Sequence, residues 1–428
     1  MSPANLPKRI ALVDCNNFYA SCERVFKPAW NERPVGVLSN NDGCIIARSD
    51  ELKNAGIPMG APYFQYKDQL KKLQAVVVSS NYTLYGDMSN RVMSVLDQFT
   101  PHLEIYSIDE AWLDLTGFKA ETLDAYARDI VYKTAKYTGI PVSMGIAPTK
   151  VLAKLANRIC KKKNIPGRVF NLGSAENSDG ILSTIEVGDL WGIGKRWSNK
   201  LNSHGIYTAL DLKEANDTEI RKRYNVLMQK IVHELRGISC IEAEEPEPKK
   251  EIMASRSFGK RVTDKQDLME SVSFHATRAA EKLRQQNSVC SVIRVMIRSG
   301  RHNPRDIYYA NSMVIQFTYP TSDTRHFIKA ATLAVDQMYK PNIRYAKAGV
   351  SLFEISPKTA LQRGLFDKEG PPTNWSEDLM KTIDDINSRY GKHTIRFASE
   401  GIQKPWAMKK NNVTQAYTTR WTELPVVR

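Results

Sequence analysis

The segment Glu-Ala-Glu-Glu-Pro-Glu-Pro-Lys-Lys-Glu at residues 242–251 sets the strongest limit on how this chain can fold. Its prolines lack backbone donors and its charges resist burial, so no shared core can run through it. The chain therefore divides here into separately packed parts. On either side the 428 residues are 42% hydrophobic and 25% charged, ordinary globular usage that suits two to four domains. Lys and Arg outnumber Asp and Glu by 61 to 46, a net charge of +15 and a pI near 9.4. Such a balance favours a polyanionic partner, nucleic acid ahead of an acidic membrane surface. No run reaches the ~18 apolar residues of a membrane span. The apolar stretch near the N-terminus is too short for a signal peptide, so a cytoplasmic protein without a membrane partner is expected. Cys15, Cys22, Cys44, Cys160, Cys240 and Cys290 form no Cys-x-x-Cys pair and lack histidines at zinc-ligand spacing; they read as reduced, mostly packed thiols.

Before the linker, residues 10–13 (Ile-Ala-Leu-Val) form a short apolar run ending in Asp14, the pattern of a buried strand with a carboxylate at its tip. The following residues have helical spacing. Residues 35–47 read as a hairpin around Asn-Asp-Gly. Residues 103–116 alternate apolar and polar on both sides of Ile108-Asp109, a second hairpin. Helices are expected at 121–137 and 149–162, flanking a strand at 142–146, which gives a mixed α+β unit. Residues 174–240 are helical in pattern around Leu-Trp-Gly-Ile-Gly-Lys-Arg-Trp. Beyond the linker, residues 252–355 alternate strands with helices near 267–286 and 324–339, a second α+β domain. From residue 357 the chain turns polar and rich in Gly and Pro, with one more helix expected at 375–389 before a basic C-terminal segment.

Asp14 with Asp109 and Glu110 would supply three carboxylates from neighbouring strands. Magnesium takes hard oxygen ligands and keeps water and substrate phosphates in its shell, so such a group suits phosphoryl transfer assisted by two metal ions. Taken singly, Asp14 also fits a helix cap and Asp109-Glu110 a turn.

Two segments resemble the active-site motifs of the Y-family, or translesion, DNA polymerases: Asp14-Cys15-Asn16-Asn17-Phe18-Tyr19-Ala20-Ser21-Cys22-Glu23 and Tyr106-Ser107-Ile108-Asp109-Glu110-Ala111. Three more match in order: Cys44-Ile45-Ile46-Ala47-Arg48, Gly145-Ile146-Ala147-Pro148-Thr149-Lys150 with Ala153-Lys154-Leu155-Ala156, and Asp189-Leu190-Trp191-Gly192-Ile193-Gly194. The resemblance covers at least residues 10–355. It implies a multidomain α+β fold shaped as a right hand: palm at 1–22 and 79–170, fingers at 23–78, a helical thumb with a helix-hairpin-helix at 171–241, the linker at 242–251, a little finger at 252–356, and an extension at 357–428. It implies two Mg2+ ions held by Asp14, Asp109, Glu110 and the Cys15 carbonyl. It sets Phe18 and Tyr19 against the incoming deoxynucleoside triphosphate, with Tyr19 as the gate against a ribose 2′-OH.

Lys53 and Lys161 are the implied triphosphate contacts. At the first of these the chain departs from the family, where a tyrosine and an arginine usually lie three residues apart; here the positions hold Asp50 and Lys53. Gly192, Gly194 and Lys195 of the hairpin, with Arg256, Arg294 and Arg298 of the little finger, are the expected contacts to primer-template DNA. Gln362, Leu365 and Phe366 resemble the peptide by which bacterial polymerases dock on the sliding clamp. Within the family, the run Ser79-Ser80-Asn81-Tyr82, Tyr85-Gly86-Asp87-Met88-Ser89-Asn90-Arg91 and the long extension most resemble the polymerase V branch of the SOS response. That branch implies a processed UmuD′-like dimer and a RecA filament as partners. The rival readings are a solitary polymerase IV-like enzyme and a catalytically silent scaffold that binds DNA and clamp; a lost carboxylate would mark the scaffold, and all three are present.

Overall fold

The computed structural model describes residues 7–242, 247–301, 306–360 and 374–425. The proposed clamp peptide at Gln362, Leu365 and Phe366 lies outside them. The chain forms two compact units: residues 1–39, 43–244 and 412–428 make the first, residues 40–42 and 245–411 the second. The break falls inside the linker read from its prolines and charges.

The first unit opens with β1 (Ile10–Cys15), α1 (Phe18–Phe26), β2 (Val35–Leu38), β3 (Ile45–Arg48), α2 (Asp50–Asn54), α3 (Tyr63–Lys72), β4 (Val76–Ser79) and α4 (Tyr82–Leu96). It continues with β5 (Leu103–Ile105), β6 (Glu110–Asp114), α5 (Ala120–Thr138), β7 (Val142–Ala147), α6 (Lys150–Lys162) and β8 (Val169–Asn171). Short helices close it: α7 (Ser178–Ser183), α8 (Lys195–Asn202), α9 (Ala209–Glu214), α10 (Asp217–Arg223) and α11 (Val226–Leu235). Five strands form one sheet in the order β5-β6-β1-β7-β8, and β3-β2-β4 form a smaller one.

β1 is apolar almost throughout because both of its faces are covered. Ala11, Val13 and Cys15 pack toward α4 and α5, while Leu12 joins Trp112 and the apolar side of α6. The register pairs Asp14 with Glu110 on one side and with Ser143 on the other. Alternation therefore sends Asp14 and Glu110 to the same side as Leu12 and Trp112, the side of α6. Asn157 of α6 donates to the carbonyls of Leu12 (3.3 Å) and Ser143 (2.7 Å) and locks helix to sheet.

The second unit contains β9 (Ile252–Val262), α12 (Lys265–Gln285), β10 (Ser288–Ser299), β11 (Ala310–Thr321), α13 (Thr324–Met338), β12 (Tyr345–Pro357) and α14 (Asn374–Tyr390). Its antiparallel sheet runs β11-β10-β12-β9 with α12 and α13 packed on one face. Arg294 and Arg298 lie opposite Ser351 and Lys347, on the face away from the helices. Arg256, also expected as a DNA contact, does not share their face. It pairs with Ala348 and follows the buried Ala254 by two residues, so it lies on the helix-packed face, where its guanidinium reaches the sulfur of Met408 at 3.9 Å. The expected single extension also divides, since residues 412–428 belong to the first unit.

Candidate active site

A sharp strand-to-helix junction builds the site. Asn17 adopts a left-handed conformation (φ 52°), which turns the chain from β1 into α1 within two residues, and asparagine tolerates that geometry better than most side chains. Asn16 is pinned by its N–H to the Pro141 carbonyl (2.8 Å) and by the Ser143 hydroxyl on its side-chain oxygen (3.0 Å). The Cys15 N–H donates to the Asp109 carbonyl at 2.8 Å, tying the β1 tip to the turn before β6. Asp109 is oriented by the Ser107 hydroxyl, 2.7 Å from its Oδ1.

Two cations of α6 stand over the carboxylates: Lys161 pairs with Asp14, and Lys154 with Glu110 at 3.0 Å. A cleft of about 610 Å³ is lined by both pairs, by Arg158 and Lys162, and by Asp189 to Trp191 of the glycine hairpin. Burial pushes the Asp14 carboxyl up to about 6; Lys161 opposes this, and the charges of Glu110 and Asp109 add to it. The carboxylates offer hard oxygen donors, which Lys161 and Lys154 neutralise in this structure, and the donor set fits a divalent cation that would take the place of those ammonium groups. Among the described residues no three His, Cys, Asp or Glu side chains are grouped so as to hold a metal ion, so Asp14, Asp109 and Glu110 supply donors without forming a ready-made site in this structure.

The chain is 45% identical to the protein UmuC of Salmonella typhimurium, a match spanning 97% of this chain and 99% of that protein. It belongs to the impB/mucB/samB family. Residues 13–158 match that family and residues 249–365 its C-terminal domain, whereas residues 377–427 match a domain of unknown function, DUF4113. The protein ImpB of S. typhimurium is 43% identical over 98% of this chain and 99% of its own length. DNA polymerase IV of Oceanobacillus iheyensis is 25% identical over 92% and 93%. Among solved structures, a Y-family DNA polymerase chimera, Dbh-Dpo4(243-245)-Dbh, superposes with a TM-score of 0.63 at 21% identity, covering 82% of this chain and 99% of that one. The impB/mucB/samB chain described here is a Y-family, translesion DNA polymerase acting on DNA and nucleotides, an enzyme class that uses divalent metal. No helix of the described residues is long and apolar enough to cross a membrane.

Other expected site residues of this family member fall as follows. Phe18 is buried, and Tyr19, half-buried, stacks on Tyr85 with centroids 4.4 Å apart at 16° and meets Tyr82 edge-on at 6.0 Å. Lys53 is exposed and bonds to Asp50 at 3.0 Å and to Asn17, the residue at the turn into α1. Burial raises the Asp50 carboxyl, but hydrogen bonds from Asn17 and Lys53 outweigh it and hold the group below the ordinary range. In the hairpin, Gly192 has φ 89°, and a Cβ there would sit 3.1 Å from Ile231. A Cβ on Gly194, at the start of α8, would meet nothing within 4 Å, so that backbone is open to approach.

Sequence reasoning gave no role to Lys154 or Arg158, although Lys154, Arg158 and Lys161 recur at helical spacing on one face of α6. It also passed over Trp191 as a contact. The Trp191 indole donates to the Tyr106 hydroxyl (3.2 Å), and the Lys154 ammonium lies 4.6 Å from the Tyr106 ring centroid and 5.5 Å from that of Trp191. The hairpin loop is thereby held against the cleft.

Proposed function

We propose that the protein is the catalytic subunit of a polymerase V-like complex, in which Asp14, Asp109, Glu110 and the Cys15 carbonyl hold two magnesium ions. The observation that carries this reading is the opposition of Asp14 and Glu110 on adjacent strands, with Asp109 one bond away through the Cys15 N–H. Bound there, the ions would neutralise the triphosphate and favour ionisation of the primer 3′-OH. Lys161, with Lys53, contacts the triphosphate oxygens, and Lys154 adds positive charge at the cleft wall. The ring of Tyr19 fills the space a ribose 2′-OH would need, next to Phe18.

Gly192, Gly194 and Lys195 take a DNA phosphate, and Arg294 and Arg298 follow the backbone along the helix-free face of the second unit, with Lys347 as an added contact. Arg256 is the weakest of the proposed DNA contacts because it lies on the opposite face. Gln362, Leu365 and Phe366 dock on the sliding clamp, and a UmuD′-like dimer and a RecA filament complete the assembly. What favours this over a solitary polymerase IV-like enzyme is 45% identity to UmuC against 25% to DNA polymerase IV, each over more than nine tenths of this chain.

Primer extension across an abasic template, with and without UmuD′, RecA and clamp, separates the two. Strong extension without UmuD′ would favour the solitary enzyme. In the same assay Asp109→Ala should abolish extension while primer-template affinity stays at the wild-type value. Turnover retained by that variant would remove Asp109 from the metal site.

A further inference from the structure

Residues 412–417 lie in the stretch whose matching family model is a domain of unknown function. They pack within the first unit against both helices that carry the aromatic residues of the nucleotide site. Asn412 exchanges two hydrogen bonds with Ser79 at the end of β4: its carbonyl accepts from the Ser79 N–H, and its own N–H donates to the Ser79 hydroxyl, each at 3.0 Å. Asn81, which caps α4, donates to the Thr414 carbonyl, the Thr414 hydroxyl and the Gln415 carbonyl at 3.2 to 3.3 Å. Tyr417 is 3% exposed and stacks on Phe26 of α1, centroids 4.8 Å apart at 8°.

The decisive contact joins this segment to Glu23, a fully buried carboxyl on α1. The Thr414 hydroxyl donates to Glu23 Oε1 at 3.1 Å, and the Tyr85 hydroxyl donates to the same oxygen at 2.8 Å. Glu23 Oε2 has no partner among the described residues. Glu23 lies one helical turn beyond Tyr19, and Tyr85 is the ring on which Tyr19 stacks. A continuous path thus runs from Thr414 through Glu23 and Tyr85 to Tyr19. Buried polar groups joined in this way fix one another's rotamers, and loss of one member frees the rest.

We propose that residues 412–417 are a positioning element for sugar discrimination, in which Thr414 sets the Tyr19 ring against the incoming sugar by orienting Glu23 and Tyr85. The inference rests on the reading of Tyr19 as the sugar gate. Thr414 touches no substrate; it acts through the ring that does.

The test uses the full-length chain with its accessory proteins on a primer-template. For each variant, kcat and KM are measured for one deoxynucleotide and for the matching ribonucleotide. Thr414→Val, which keeps shape and loses the hydroxyl, should raise the ribonucleotide-to-deoxynucleotide ratio of kcat/KM by about tenfold, the upper end of the effect of losing one buried hydrogen bond. Most of the change should fall on the ribonucleotide KM, since only that sugar meets the ring, and Thr414→Ser should restore the wild-type ratio. Tyr19→Ala serves as the independent arm. If Tyr19→Ala relaxes the ratio and Thr414→Val does not, the positioning role is wrong while the gate stands. If Tyr19→Ala leaves the ratio unchanged, the gate reading falls and the inference with it. A Thr414→Val enzyme that loses kcat equally for both sugars, with no rescue by Ser, would reduce the segment to a packing element.

Discussion

Glu23 shows how one buried carboxyl couples pH to this fold. Burial pushes its carboxyl up to about 7, with the Tyr85 and Thr414 hydroxyls opposing. The groups facing it are the Cys22 thiol and the Tyr85 and Tyr417 phenols, all pushed upward by burial and so uncharged near neutrality. A carboxyl raised above its ordinary value binds its proton more tightly in the folded state than in the unfolded one. Stability should therefore fall as pH rises from about 4.5 to about 7, by on the order of 3 kcal/mol, and change little above that. Glu23→Gln mimics the protonated form. The difference in urea stability between the variant and wild type should grow in the variant's favour across this window; a difference independent of pH would show that Glu23 is not the titrating group. The residue was in view in the sequence as the last member of the first motif, but nothing in the motif marked it as buried. Its partner Thr414 lies 391 positions away, a separation that local patterning cannot bridge.

At the scale of elements, α6 on β7 carries the cations of the cleft. Strand, helix and their boundaries were legible because apolar residues recur at matching periods. The closeness of the two was not, since it depends on one missing side chain. A Cβ on Gly145 would lie 2.1 Å from the Asn157 amide nitrogen and 2.4 Å from the Ala153 carbonyl oxygen, both backbone atoms that cannot turn aside. Gly145→Ala should force α6 off the sheet, at a stability cost of about 1–3 kcal/mol or more. Because Lys154 and Lys161 ride on that helix, the nucleotide KM should rise several-fold as well. Wild-type KM in a destabilised Gly145→Ala enzyme would separate the helix position from nucleotide binding. The second unit gives the opposite lesson about strands. In Ser-Arg-Ser-Phe-Gly-Lys-Arg both faces of β9 carry exposed residues, so period-two alternation cannot say which face holds Arg256; only the pairing with Ala348 decides it.

For the whole molecule, the linker was read from prolines and charged side chains that resist a core, and the chain forms two units with separate apolar clusters. The division of the C-terminal extension was not legible. Residues 412–417 carry few apolar groups, and their contacts to Ser79, Asn81 and Glu23 are polar and distant in sequence. Only Tyr417, stacked on Phe26, adds a large buried ring. Truncation after Asn411 therefore tests whether this short strap stabilises the first unit alone. Removing a buried tyrosine with several buried hydrogen bonds should cost the first unit about 3 kcal/mol, and lower its unfolding midpoint by roughly 5–10 °C. The second unit keeps its own sheet and helices, so its midpoint should stay in place. Calorimetry of the truncated chain should show one transition displaced and the other unmoved, with Tyr417→Ala in the full-length chain reproducing part of the shift. If both transitions move together, the strap acts on the molecule as one cooperative body; if neither moves, its contacts contribute nothing to stability.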